Sequence, residues 1–283
     1  MPYGRSILGS RATVEGLGPD ELRAFHERRY QAGSSAIIIT GAIDLDRARE
    51  TVRKHFDDWT GAPAGDVSFE VRPRVDETRV FLVDRPGSVQ SEIRMGHIGV
   101  DRHHPDYFAL MVMNTILGGA FTSRLNMSLR EKHGFTYGAR SAFAFRRRPG
   151  PFSVNVAVAS DVTARAIEEA LREIHTFRED GPGDDELESA RDYLRGIMPL
   201  KLQTTDEIAS RFAELVVYDL PDDYLATLRD AIAGVSRDDV HRVARDHVRP
   251  DALAVVVVGD ADQIEEPIRQ LGLGPIEIHS TLP

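Results

Sequence analysis

Arg130 and Tyr137 are the residues of this 283-residue sequence whose types and spacing best suggest chemistry. They lie in the run Ser123-Arg124-Leu125-Asn126-Met127-Ser128-Leu129-Arg130-Glu131-Lys132-His133-Gly134-Phe135-Thr136-Tyr137-Gly138. Ser123 to Lys132 reads as a helix stopped at Gly134, where a C-terminal cap glycine is expected. Arg130 then falls in the last helical turn, and Tyr137 begins the next strand. Guanidinium and phenol are both hydrogen-bond donors, so together they can hold a peptide carbonyl or the oxyanion formed when it is attacked. A plainer assignment competes on side-chain physics alone, with Arg130 complementing the negative helix end and Tyr137 packing half-buried.

Other chemistries find little support. None of the ten histidines forms a His-x-x-Glu-His or His-x-x-x-His pair that would put two metal ligands one helical turn apart. His103-His104-Pro105-Asp106 gathers potential ligands, but adjacent histidines point to different sides, and Asp106 reads as a first-turn charge favoured by the helix dipole. Cysteine is absent, which removes thiolate metal sites, iron–sulfur clusters and a cysteine nucleophile. No phosphate loop, Gly-x-Gly-x-x-Gly after a strand or Gly-x-Ser-x-Gly elbow occurs. A net charge of −10 opposes non-specific attraction to nucleic acid or anionic lipid, and Arg146-Arg147-Arg148 reads as a solvated hairpin turn. Apolar runs such as Leu253–Val258 fall far short of the ~20 residues that span a bilayer.

The elements that must position Arg130 and Tyr137 come partly in duplicate. Leu17-Gly18-Pro19-Asp20-Glu21-Leu22 aligns with Val235-Ser236-Arg237-Asp238-Asp239-Val240. The same spacing carries Ala36-Ile37-Ile38-Ile39 onto Ala254-Val255-Val256-Val257 and Gly41 onto Gly259 without a gap. Each copy reads as a polar helix start, a helix with two apolar positions, and a buried strand ending in glycine. A Pro/Gly-bearing linker over 61–77 separates residues 1–60 from a full unit over 78–283. That unit shows strands near 79–83, 89–100 and 152–158, and helices near 105–117, 123–132, 162–177, 187–202 and 208–218. The first copy lacks the counterpart of the second unit's beginning, which would lie about 140 residues upstream of Met1 if the duplication is complete.

Several stretches together resemble the insulinase/pitrilysin family of zinc metallopeptidases, which includes the mitochondrial processing peptidases. They are Pro2-Tyr3-Gly4-Arg5, the Leu-Gly-Gly-x-Phe-x-Ser-Arg-Leu run over Leu117–Leu125, the Leu-Arg-Glu-Lys-x-Gly-x-x-Tyr run over Leu129–Tyr137, and Gly196 through Gln203-Thr204. The resemblance implies an α+β fold: an antiparallel sheet flanked by helices, duplicated into a clamshell around an unfolded peptide substrate, with the first copy here incomplete. It implies that Arg130 and Tyr137 contact the substrate near the scissile bond. It also implies zinc held by an inverted His-x-x-Glu-His motif, which these residues lack. This chain is therefore expected to bind no cofactor itself, with zinc and general base coming from an N-terminal half or a homologous partner subunit. The alternative is a metal-free structural or regulatory subunit of a larger complex. Compartment, substrate identity and oligomeric state are left open.

Overall fold

Helices and strands in the computed structural model, which describes residues 4–65, 69 and 76–280, follow the apolar periodicities of the sequence. The helices are α1 (Arg11–Glu15), α2 (Pro19–Arg29), α3 (Leu45–Phe56), α4 (Tyr107–Asn114), α5 (Arg124–Asn126), α6 (Thr163–Asp180), α7 (Asp184–Leu200), α8 (Thr205–Tyr218), α9 (Tyr224–Ala233), α10 (Arg237–His247) and α11 (Ala261–Gln270). The strands are β1 (Arg79–Asp84), β2 (Gln90–Ile98), β3 (Ala139–Phe143), β4 (Pro151–Ala159), β5 (Ala254–Gly259) and β6 (Ile276–Ser280). Contacts divide the chain into one unit of Met1–Val71 with Met198–Tyr224 and another of Arg72–Ile197 with Leu225–Pro283. Pro2, Tyr3 and most of the 61–77 stretch lie outside the described residues.

The second unit contains one six-stranded sheet, ordered β3-β4-β2-β5-β1-β6. The ladders β3–β4, β4–β2 and β2–β5 are antiparallel, while β1 pairs in parallel with both β5 and β6. Alternation along each strand sends one set of side chains into the core. Val80 and Leu82, Ile93 and Met95, Phe152, Val154 and Val156, and Val255 and Val257 are all buried. Leu110, Met113, Ile167, Ala170, Val240, Val243 and Ile264 come into the same core from α4, α6, α10 and α11. By length and composition the helical stretch 107–132 could cross a membrane, which the short apolar runs of the sequence did not suggest. Here its Leu110, Met113, Leu117, Leu125 and Leu129 are core residues.

The duplicated segment takes two different forms. Helix α2 and helix α10 begin and end at equivalent positions; Ser236 and Asp239 form a capping box at α10, while at α2 only the returning half is present, the Glu21 carboxylate accepting the Gly18 amide. Their apolar positions differ sharply in burial. Val240 and Val243 are both 0% exposed, whereas the equivalent Leu22 and Phe25 are 56% and 51% exposed. Val255 and Val257 are buried in β5, while the equivalent Ile37 and Ile39 are exposed. The strand expected at 36–40 does not form. A strand exists through its ladder, and β5 has β1 and β2 on either side, whereas 36–40 has no described neighbour to pair with.

His97, at the core-facing end of β2, is a polar group held neutral. Its Nδ1–H donates to the Ile98 carbonyl at 2.9 Å, and its Nε2 accepts the Arg249 amide at 3.1 Å. Burial, aided by the positive charge of Arg249 and by His247 and only partly opposed by the Ile98 bond, pushes the imidazole down from 6.5 to about 4. A lowered histidine pKa contributes stability that is complete above pH 6.5 and lost as pH falls to 4. The loss should reach about 3 kcal/mol. Urea denaturation across this range should show that acid slope in the native chain and a much flatter one in His97→Asn; equal slopes would contradict the assignment.

Candidate substrate-contact site

The Arg130/Tyr137 block is built from two π-helical turns and a pinned loop. The first π turn, Thr115–Gly119, follows α4, and the second, Met127–Lys132, follows α5. Such turns are rare and concentrate at functional sites. Gly118 is needed in the first because a Cβ there would lie 2.4 Å from the Ser141 amide nitrogen and hydroxyl. At the end of the second, the His133 amide bonds the Ser128 carbonyl and the Phe135 amide bonds the Leu129 carbonyl. Gly134 adopts φ +65°, the left-handed cap its sequence position suggested. Behind the turn, the buried Glu169 of α6 accepts from the Ser128 hydroxyl and the Arg172 guanidinium, with His133 Nε2 3.1 Å away. Burial raises the Glu169 carboxyl, but Ser128 and the cations around it outweigh that and hold it below the usual range.

Arg130 lies on the second π turn with its guanidinium 4.5 Å from the centre of the Phe121 ring. Its Nε is 3.3 Å from Glu131. The cation–π contact braces the side chain at small cost to its hydrogen-bonding edge. Tyr137 precedes β3 rather than starting it, and its side chain is 94% exposed, so the half-buried alternative does not hold. Its turn is shaped by Thr136, whose hydroxyl accepts the Gly138 amide at 3.1 Å. No hydrogen bond, ion pair or ring contact engages the Tyr137 phenol among the described residues. The two side chains therefore do not touch through a direct bond.

Asn126 links their supports. Its Nδ2 donates to the Phe121 carbonyl at 2.6 Å, and its Oδ1 accepts the Ala139 amide at 3.2 Å. One buried amide thus ties the segment carrying the Arg130 platform to the segment following Tyr137. Neither Phe121 nor Asn126 stood out as a site residue in the sequence. The available signal was their place inside the Leu117–Leu125 motif and directly after it. Asn126→Ala leaves both backbone partners unsatisfied and should cost about 1–3 kcal/mol. Amide exchange at Ala139 should quicken accordingly, and unchanged exchange would remove Asn126 from this role.

The histidine–aspartate cluster found in the sequence keeps His104 and Asp106, loses His103 and gains His247. His104, Asp106 and His247 bring ligand-type atoms within 4.8 Å of one another, and they form the only such group among the described residues. Asp106 is committed elsewhere. Arg242 binds its two oxygens at 2.7 and 3.2 Å, and His247 Nε2 lies 2.7 Å from one of them. The Arg242 hydrogen bond, followed by that of His247 and opposed by burial, pulls the Asp106 carboxyl down to about 2. Asp106 is thus a fastener between the start of α4 and α10 rather than a free first-turn charge. With a guanidinium across its carboxylate, the cluster does not fit a catalytic zinc ion.

Comparison with known proteins places this architecture. Residues 16–194 match the family model described as the peptidase M16 inactive domain. An uncharacterized zinc protease of Streptomyces coelicolor is 30% identical over 264 residues, covering 89% of this chain and 56% of that protein. The beta subunit of the mitochondrial-processing peptidase of Lentinula edodes is 23% identical, covering 94% and 59%. The crystal structure of a peptidase M16 inactive domain from Pseudomonas fluorescens superposes with a TM-score of 0.81 at 25% identity, covering 92% and 62%. This chain spans less than two thirds of each of these relatives. The resemblance to the insulinase/pitrilysin peptidases is therefore borne out, and the chain belongs to the M16 peptidase family through its inactive, C-terminal domain.

Proposed function

We propose that this chain is the substrate-clamping portion of a zinc endopeptidase that cleaves unfolded peptides. Arg130 and Tyr137 orient the scissile carbonyl and donate to the oxyanion formed on it. The observation carrying this reading is the exposed, unpartnered Tyr137 phenol, tied through Asn126 to a ring-braced Arg130. With Arg130 braced and the backbone on either side tied through Asn126, only the Tyr137 side chain has to settle as charge develops. Zinc and general base are supplied from outside these residues, by an N-terminal half or a homologous subunit. The name of the Streptomyces coelicolor relative supports zinc in the whole protein. Residues 1–60 then act as the closing part of the zinc-bearing domain, and residues 78–283 as the clamp, apart from Met198–Tyr224, which group with the first unit.

The exposed Leu22, Phe25, Ile37 and Ile39 support this arrangement, because their equivalents in the complete copy are core residues. A polypeptide providing the equivalents of β1 and β2, which flank β5, and of α4 and α6, which pack on α10, would cover them. Alone, the chain should associate through this open surface, so light scattering should show aggregates; a clean monomer would count against a missing cover. The function itself is tested by passing an unfolded peptide over immobilised chain. Arg130→Ala with Tyr137→Phe should weaken binding about tenfold, whereas equal binding would overturn the clamp assignment. A scaffold subunit would instead bring down a large assembly whether or not zinc is present.

A further inference from the structure

The second π turn ends on the hydrogen bond from the His133 amide to the Ser128 carbonyl, 3.1 Å long and spanning five residues, with Arg130 inside the ring it closes. A single buried carboxylate holds both ends of that bond. Glu169, only 6% exposed, accepts the Ser128 hydroxyl, and its Oε1 lies 3.1 Å from His133 Nε2. Its mount is fixed, because Ala166, Ile167, Ala170 and Ile174 of α6 are core residues. Helix α6 also reaches the segment leading to Tyr137. The His133 ring stacks on Phe135 with centres 5.0 Å apart, and the guanidinium of Arg165, likewise on α6, lies 4.9 Å from the centre of the Phe135 ring.

A π turn carries one residue more than α-helical spacing. Relaxing it to that spacing would rotate the following segment by about 100°, the angle of one helical residue. Arg130 would then lose its relation both to the Phe121 ring that braces it and to the segment that leads to Tyr137. Fold stability alone does not call for a carboxylate at this place. Glu169 is paired with Arg172, one turn further along α6, and exchanging a buried ion pair for apolar side chains is often neutral or stabilising. What the carboxylate does that an apolar side chain could not is grip Ser128 and His133 together.

We propose that Glu169 is a positioning residue for the clamp: by gripping both ends of the π bond around Arg130, it sets the direction in which the guanidinium meets the peptide. The proposal rests on the clamp reading above. Glu169→Leu removes both grips, and in the zinc-completed enzyme it should lower kcat/KM about tenfold, with the loss falling more on kcat than on KM. Glu169→Gln keeps an acceptor for Ser128 and should recover most of the rate. In an Arg130→Ala background Glu169→Leu should bring no further loss, because Glu169 acts through Arg130. Amide exchange at His133 should quicken, while exchange at Val156 in the middle of β4 stays at the native rate. If Glu169→Leu does not fold, Ser128→Ala removes one grip without stranding a hydroxyl and should show the same pattern at smaller size. A loss of equal size in the Arg130→Ala background, or unchanged exchange at His133, would overturn the proposal. Arg130→Ala alone separates it from the clamp reading. If that variant turns over as fast as the native enzyme while Glu169→Leu still quickens exchange at His133, the grip on the turn stands and the clamp assignment fails.

Discussion

Arg130→Ala, made in the zinc-completed enzyme, should lower kcat/KM by about 10²-fold or more, the usual result of removing one oxyanion donor. The loss should fall more on kcat than on KM: the pair already holds the ground-state carbonyl, which accounts for the smaller loss of binding, and its hydrogen bonds strengthen as charge develops. Tyr137→Phe is the cleaner companion experiment. Its phenol is 94% exposed and bonded to nothing among the described residues, so folding does not depend on it. Thermal unfolding of Tyr137→Phe should match the native protein while its turnover falls. Arg130→Ala also gives up the contact with Phe121, worth about 0.5–1 kcal/mol at an exposed site. Far larger destabilisation would mean that Arg130 is structural. Unchanged kcat/KM in both variants would show that neither residue meets the reacting carbonyl.

Glu186→Leu should cause a large and pH-dependent loss of stability at the site. Arg124 grips the Glu186 carboxylate through Nε and an Nη atom, both at 2.6 Å, and donates to the Gly181 carbonyl at 3.0 Å. Its guanidinium also lies 4.7 Å from the centre of the Phe177 ring. Removing one partner from a fully buried pair costs about 3–5 kcal/mol, but the Glu186 side chain is 35% exposed. Solvent screening reduces the expected loss to about 2 kcal/mol. Burial raises the Glu186 carboxyl, yet the Arg124 and Gly183 hydrogen bonds more than compensate and leave it below its ordinary 4.5. The pair's contribution is thus present above that value and lost as pH falls below it. Urea midpoints of Glu186→Leu and native protein should differ most near neutrality and converge in acid. A difference independent of pH would point to packing rather than charge.

Most of the sheet was legible in the sequence, β4 through strict alternation and β5 through an unbroken β-branched run, whereas the mostly exposed edge strand β6 was not expected. Val154, Val156 and Val158 announce β4, and the run over Val255–Val257 announces β5. The strand expected at Ala36–Thr40 had the same composition and did not form, since apolar content specifies a strand only where neighbours exist to pair with it. The repeat was readable for a related reason: capping residues and helix faces recur at a fixed offset. Arg130 and Tyr137 were visible through side-chain chemistry and family resemblance. Phe121 and Asn126 were not, because a ring platform and a bridging amide take their roles from contacts between segments. His247 likewise joined His104 and Asp106 only when α10 packed against α4, and no spacing rule connects residues that far apart in the chain.

Hydrolysis of an unfolded peptide by this chain, with zinc, in the presence and absence of a polypeptide carrying the His-x-x-Glu-His motif tests the central claim most directly. The chain saturated with zinc should show no turnover by itself. Turnover should appear with the complementing polypeptide, disappear on chelation, and fall by about 10²-fold with Arg130→Ala. Peptide hydrolysis by this chain and zinc alone would contradict the account, as would a tight complex of the two polypeptides in which Arg130→Ala leaves the rate unchanged.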